Sequence, residues 1–155
     1  MKKGEELVGL SVMTVEKGDL LGEIVDVIYM PVSRKLVGFL ITKDKNKYFI
    51  ASHNIKEVGR DVVIVNDPDC LQECHEIPGM GIKCEGNTLA GQKVVTTSGR
   101  ELGIVSDLVI DEKDLSVVGY EISSGLIQDL LEGRDILSLE KDIQYGKDGL
   151  ILNDK

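Results

Sequence analysis

Tryptophan is missing from this chain of 155 residues, and proline, cysteine, histidine and aromatic side chains are scarce. No apolar run approaches the roughly 18 residues that a membrane-spanning helix requires, so the sequence predicts no such helix. The opening stretch, MKKGEELVGL, follows its lysines with acids and glycines rather than with the apolar run of a signal peptide. The cysteines number three. An odd count without an export signal predicts free thiols and a cytoplasmic location.

The charge of the chain is unevenly distributed. The formal net charge is −9. Residues 1–68 carry ten Lys/Arg and ten Asp/Glu, residues 69–84 sum to −2, and residues 85–155 carry fourteen acids and seven bases, giving −7. An acidic surface repels phosphate groups, so we expect neither nucleic acid nor an anionic membrane surface as a partner. The lack of a long apolar run predicts no insertion into a membrane.

The chain contains an internal repeat. The segment LLGEIVDVIYMPVSRKLVGFLI (Leu20–Ile41) aligns without a gap with ELGIVSDLVIDEKDLSVVGYEI (Glu101–Ile122). A repeat near 80 residues is too long for a solenoid unit and predicts two domains, 1–68 and 86–155, joined by a cysteine-containing linker, 69–85. The identical pairs are Leu21/Leu102, Gly22/Gly103, Asp26/Asp107, Val37/Val118, Gly38/Gly119 and Ile41/Ile122.

Each repeat reads as a series of short strands. Stretches such as GEIVDVIYM, LVGFLIT and DVVIV are rich in β-branched residues and are separated by Gly, Pro, Ser and Asp turn signals. Their apolar residues fall on both parities, which favours a closed or covered sheet, hence an all-β protein of two small barrels. In the second repeat, GLIQDLLEG (Gly125–Gly133) has the apolar spacing of a short helix, either a lid over the barrel end or an exposed docking surface.

These strands resemble the PRC-barrel family, which includes the barrel domain of the photosynthetic reaction centre H subunit and the C-terminal domain of the bacterial 16S rRNA maturation factor. The residues that carry the resemblance are LVGLSV, LLGEIVDVIYM, LVGFLIT and FIASHNIKEVGRDVVIV in the first repeat, and LAGQKV, ELGIVSDLVID, VVGYEIS and DILSLEKDIQYGKDGLIL in the second. The chain is most similar to tandem PRC-barrel proteins of bacteria. The resemblance implies a small, mostly antiparallel barrel of about six strands per copy, with binding and assembly roles rather than catalysis.

Six recurring residues are candidates for a structural role. Gly22 and Gly103 open a strand, and Gly38 and Gly119 interrupt one, which favours a bend or a close backbone approach over ligand binding. Asp26 and Asp107 occupy the same mid-strand position in each copy. A general base would need a neighbour that tunes it, and no histidine recurs beside either one. We therefore expect both carboxylates to accept hydrogen bonds from backbone N–H groups of a neighbouring loop.

The stretch CLQECHEIPGMGIKC holds all three cysteines. Cys70, Cys74, His75 and Cys84 have the number and kind of ligands that zinc prefers. Against a metal site, Cys74 and His75 are adjacent and the second half lacks its own close pair. The alternatives are a metal- or thiol-based sensor and a plain linker whose cysteines pack as small apolar groups.

The sequence therefore predicts two barrels in tandem that pack with pseudo-twofold symmetry, each forming its own closed sheet. The predicted function is that of a soluble, non-catalytic adaptor or assembly module that binds another protein through its barrel faces and loops. The acidic second domain favours a basic protein partner. Self-association into a homodimer is compatible with this organisation, and no cofactor is predicted. The alternative functions are the sensor centred on Cys70–Cys84 and an enzyme with a site between the barrels.

Overall fold

The structure is a computed structural model. It describes residues 1–31, 33–74, 76–77, 82–83, 89–123 and 135–153. The helix predicted over Gly125–Gly133 lies outside the described residues. Among the residues that are described, no helix is long and apolar enough to cross a membrane.

Short strands make up most of the fold. The elements up to residue 74 are β1 (Lys2–Lys3), α1 (Gly4–Leu7), β2 (Ser11–Thr14), β3 (Leu20–Met30), β4 (Lys35–Lys43), β5 (Asn46–Ala51), a 3-10 helix (Ser52–Asn54), β6 (Ile55–Val58), β7 (Val62–Val65), a second 3-10 helix (Pro68–Cys70) and β8 (Gln72–Glu73). The remaining strands are β9 (Glu76–Ile77), β10 (Ile82–Lys83), β11 (Lys93–Thr96), β12 (Glu101–Asp111), β13 (Ser116–Ser123), β14 (Asp135–Ser138), β15 (Ile143–Tyr145) and β16 (Gly149–Leu152).

The two repeats have the same topology. In the first repeat, defined as β2–β7, the strands lie side by side in the order β6, β7, β2, β3, β4, β5; in the second, β11–β16, the order is β15, β16, β11, β12, β13, β14. All neighbours within a repeat are antiparallel except β2 with β7 and β11 with β16. The all-β fold and the six strands per copy are confirmed.

Irregularities of the ladders also recur. The β3–β4 register shifts between Ile24 and Asp26, and the β12–β13 register shifts at the equivalent Val105 and Asp107. Such bulges bend a strand and increase its twist, which lets a long strand wrap around a small core. The long strands β3 and β12 accordingly bury nearly the same set of positions.

The repeats meet across a pseudo-twofold axis. Lys35 pairs with Ser116, its own equivalent in the other repeat. On either side of this pair, the Leu36 N–H donates to the Leu115 carbonyl and the Val117 N–H donates to the Arg34 carbonyl, each at 2.9 Å. These two bonds are related by the internal symmetry, so the predicted pseudo-twofold packing is confirmed.

The expectation of two separate sheets is wrong. The Lys35–Ser116 pair joins the ladders of both repeats into one sheet of fourteen strands. In addition, Lys2 and Lys3 pair with Ile110 and Val109 of β12, so the beginning of the first predicted domain lies on the second repeat. A two-residue strand carries too little sequence pattern to reveal its partner.

One hydrophobic core serves both repeats. Tyr29, Leu36 and Phe39 of the first repeat and Leu108, Val117 and Tyr120 of the second belong to the same buried cluster. A domain of about 70 residues buries a smaller fraction of its surface than a larger domain does when it folds alone. Sharing the core removes apolar surface that each repeat would otherwise expose to water. We therefore treat the two repeats as one structural unit.

The predicted linker contains ordered elements of its own. Strand β8 pairs with β5 in the register Tyr48–Glu73 and Phe49–Gln72. Strands β9 and β10 form a separate two-stranded ladder. Cys70, at the end of its 3-10 helix, is buried in the shared core. The part of the segment from Cys70 to Glu73 therefore packs on the fold rather than serving as a bare connection.

Candidate functional site

The recurring glycines lie where strands approach each other most closely. A Cβ on Gly38 would be 2.2 Å from the Ile50 carbonyl oxygen, and one on Gly119 would be 2.7 Å from the Leu137 carbonyl oxygen. Gly22 and Gly103 have positive φ values of 154° and 141°. No side chain fits at either close contact, so the four glycines shape the strands and offer no group for chemistry.

The recurring aspartates converge on the pseudo-twofold axis. Asp26 and Asp107 line one recess of about 220 Å³, together with Val8 and its equivalent Ala90. Asp26 Oδ1 accepts the Val27 N–H at 2.8 Å, and Asp107 Oδ1 accepts the Leu108 N–H at 2.7 Å. Each carboxylate thus fixes the backbone at the bulge of its own strand.

Asp107 also anchors the N-terminal arm, by which we mean Lys2–Leu7. Its Oδ2 accepts the Glu5 N–H at 2.9 Å, and a Cβ on Gly4 would lie 2.5 Å from its Oδ1. The carboxylate therefore holds the arm against the second repeat with charge-assisted hydrogen bonds. Asp107 thus accepts a backbone N–H group from a segment outside its own strand.

An ion pair with a buried carboxylate fixes the arm a second time. The Lys3 ammonium contacts the carboxylate of Glu121, whose side chain is 1% exposed. The Ser106 hydroxyl donates to Glu121 Oε1 at 3.0 Å. The hydrogen bond to Glu121 is the main reason why the pKa of Lys3 is raised. Sequence analysis missed this site because an isolated glutamate in a strand is ordinarily exposed, and its equivalent in the first repeat is Leu40.

Three tyrosines form a chain of hydroxyl groups across the repeats. The Tyr29 hydroxyl lies 2.8 Å from that of Tyr120, which lies 2.7 Å from that of Tyr145. Tyr29 and Tyr120 are buried, whereas Tyr145 is exposed. Burial raises the pKa of Tyr29 to about 12 and raises that of Tyr120. The three tyrosines do not occupy equivalent positions in the two repeats, so the internal repeat did not point to this chain of hydroxyl groups.

The tyrosine chain predicts a loss of stability at alkaline pH. The unfolded tyrosines ionise near pH 10, whereas Tyr29 in the folded protein stays protonated to about pH 12. Above pH 10 the unfolded state therefore binds fewer protons than the folded state, so the free energy of unfolding falls as the pH rises. Urea unfolding between pH 8 and 12 should show this stability intact below pH 10 and lost progressively above it.

The matched variants for this prediction are Tyr29→Phe and Tyr48→Phe. The first removes one buried hydroxyl from the chain and should make the decline above pH 10 shallower. The second changes a tyrosine that is not part of the hydroxyl chain, and it should leave the decline of the unfolding free energy as in the parent protein. Equal slopes for the parent and Tyr29→Phe would contradict the role given to this hydroxyl.

The predicted metal ligands are not gathered by the described part of the structure. Cys70 is a free, buried thiol whose pKa is raised by burial. Cys74 is disulfide-bonded, so the expectation of free thiols does not hold for this residue. A disulfide sulfur does not supply the thiolate that zinc requires. His75 and Cys84 lie outside the described residues. Among the described residues, no group of three or more His, Cys, Asp or Glu side chains is placed to hold a metal ion.

Burial of Cys70 predicts slow modification of its thiol. The thiolate is the reactive form, and burial both raises the thiol pKa and blocks access. Labelling by a maleimide at pH 7.5, mapped to Cys70 by mass spectrometry, should be at least ~100-fold slower in native buffer than in urea. Complete labelling of Cys70 in native buffer within minutes would contradict this placement.

A polar groove runs between the repeats near their symmetric contact. It has a volume of about 300 Å³ and is lined from the first repeat by Ser52, Lys56 and Glu57, and from the second by Glu112 and Asp114. A hydrogen bond from the Met1 ammonium lowers the pKa of Glu112, and one from the Ser116 hydroxyl lowers that of Asp114. Both carboxyls are thus weaker bases than an ordinary carboxylate, the opposite of what general base catalysis needs.

Comparison with known proteins agrees with this architecture. The PRC-barrel domain matches twice, over residues 1–71 and residues 84–155. A search among curated proteins gives no match. The two matched ranges contain the two sets of six strands, and together they span most of the sequence. With its duplicated strand order, duplicated bulges and two matched domains, the chain belongs to the PRC-barrel family, as a tandem member.

Proposed function

We propose that this protein is a non-catalytic adaptor that binds a basic surface of another protein through its second repeat. PRC-barrel domains are often modules of protein interaction or assembly. The observation that carries the proposal is the combination of a shared core with an unequal surface: residues 1–68 are neutral, whereas residues 85–155 carry −7. A single unit whose second half carries the excess of acidic residues suits the docking of a basic partner.

The perturbed titratable groups support a role without catalysis. Burial is the main reason why the pKa values of Tyr29 and Tyr120 are raised; hydrogen bonds to the neighbouring tyrosines add to the rise for Tyr120 and oppose it for Tyr29. Lys3 is paired with Glu121 inside the fold. A catalytic group tuned for proton transfer would instead open onto a cleft where substrate can reach it. The tyrosines join the two repeats, and the Lys3–Glu121 pair joins the N-terminal arm to the second repeat.

The proposal is tested by capture of partners from a lysate of the source organism with matched charge variants. One variant carries Glu140→Lys and Asp148→Lys in the second repeat. The control carries Glu57→Lys and Asp61→Lys in the first repeat, where Asp61 is the equivalent of Asp148. All four side chains are exposed.

We expect the parent protein and the control to capture a basic protein at low salt and to release it at high salt, since exposed charges are screened. The second-repeat variant should lose this capture. Specific capture of no protein at either salt concentration would contradict the adaptor function. Capture that the control loses and the second-repeat variant retains would contradict the assignment to the second repeat.

A further inference from the structure

The first repeat covers the outer edge of β5 with a strand of its own chain. Strand β8 pairs there, and the Cys74 N–H donates to the Lys47 carbonyl at 3.4 Å. Beneath this cover, Phe49 is 4% exposed and packs with Ile28 and Leu40. The edge of the sheet is therefore extended and its apolar side chain is removed from water.

The equivalent edge of the second repeat is β14. Gly119 pairs with Ser138 as Gly38 pairs with Ala51, which makes Ile136 the counterpart of Phe49. Ile136 is 59% exposed. Within the described ranges, β14 pairs only with β13, and no strand occupies the side that β8 covers in the first repeat. Among the residues that the structure describes, this apolar strand edge of the second repeat thus has no counterpart of β8.

The backbone of Ile136 faces outward from this edge. The Leu139 N–H donates to the Val118 carbonyl on β13. Because antiparallel ladders alternate, Leu137 also faces β13, while the N–H and C=O groups of Ile136 face the opposite side. Outward-facing backbone groups beside an exposed apolar side chain are the features that a strand-adding peptide uses.

We infer that the outer edge of β14 takes up an extended segment of the partner protein, in the way that β5 takes up β8, and that this segment carries basic side chains. The inference rests on the proposed function and specifies the docking mode. Glu140 and Asp142, both exposed, follow the edge closely. The charge of −9 disfavours a second copy of this chain as the occupant, because two acidic second repeats would be brought together.

The probe is a blocked hexapeptide that alternates lysine and valine, with a glutamate–valine peptide of the same length as its control. Titration of isotope-labelled protein, followed by amide chemical shifts, reports the place of binding. We expect the lysine peptide to shift signals along β14 and to slow exchange of the Ile136 amide. The glutamate peptide should bind at least ~10-fold more weakly. Shifts confined to other strands, or equal binding of both peptides, would overturn the inference.

Two variants of equal exposure sharpen the test. Ile136→Lys places a like charge on the edge and removes its apolar side chain, and it should weaken binding of the lysine peptide by about tenfold or more. Leu20→Lys changes a residue of the first repeat that is 60% exposed and should leave binding unchanged. Loss of affinity in both variants or in neither would overturn the assignment to β14.

The same variants separate this inference from the proposed function. If lysate capture depends on Glu140 and Asp148 but survives Ile136→Lys, the adaptor function stands and strand addition at β14 is wrong. Sedimentation equilibrium tests the remaining candidate occupant of the edge, a second copy of this protein. A homodimer of the parent protein that Ile136→Lys converts to monomer would assign the edge to a second copy and would overturn the inference of a foreign segment.

Discussion

Gly38→Ala is expected to lower the free energy of unfolding by about 3 kcal/mol, a large part of the stability of an ordinary small protein. The added Cβ would lie 2.2 Å from the Ile50 carbonyl oxygen and 2.5 Å from the Phe49 ring. Relief requires β4 and β5 to separate, which weakens their ladder and disturbs the apolar cluster around Phe49. Urea unfolding at neutral pH measures the change.

Gly18→Ala is the matched control for this prediction. Gly18 has a positive φ of 64°, but a Cβ added there would meet no heavy atom within 4 Å. Its replacement should cost about 1 kcal/mol, the ordinary penalty of a left-handed conformation for alanine. Gly119→Ala, the equivalent of Gly38→Ala, should resemble the latter in size. Equal and small losses for Gly18→Ala and Gly38→Ala would contradict the close approach of β4 and β5.

Lys3→Met is expected to cost about 2–3 kcal/mol of stability, because it leaves the buried Glu121 carboxylate without its cation. The methionine keeps most of the apolar stem, so the loss reports the charge rather than packing. Lys3 is 40% exposed, which places the expected loss below that of a fully buried pair. Chemical unfolding of the variant and the parent protein in parallel gives the value.

The double variant Lys3→Met/Glu121→Leu separates a buried-charge effect from a simple loss of contact. Leucine is the residue that the first repeat has at the equivalent position, Leu40, where it is buried. With neither charge left inside the fold, most of the stability should return. If the double variant were less stable than Lys3→Met, the ion pair would not be the reason for the loss.

The sequence predicted the features that occur in both repeats. The repeated strands and the glycines at the close contacts could be inferred because the same residues occur at the same places in both repeats. The family resemblance then gave the strand number. The pseudo-twofold contact followed from the small size of each repeat, which needs another surface to cover its apolar residues.

The sequence did not predict the features that differ between the two repeats. The N-terminal arm crosses to the second repeat by contacts of Lys3, Glu5 and Asp107, which are distant in the chain and have no periodic pattern. Glu121 is buried although glutamate is ordinarily exposed, and its burial depends on Lys3 of that arm. Strand β8 is two residues long, so its pairing with β5 depends on tertiary position rather than on strand propensity.

Hydrogen exchange of the backbone amides tests the central claim, that both repeats share one core and act as a single unit, most directly. The comparison is between β4 and β13, which lie in different repeats and meet at the symmetric contact. The shared core predicts that the slowest amides of both strands exchange with the same free energy of opening and respond equally to urea. Clearly different opening free energies, with one repeat exchanging while the other stays protected, would contradict the claim.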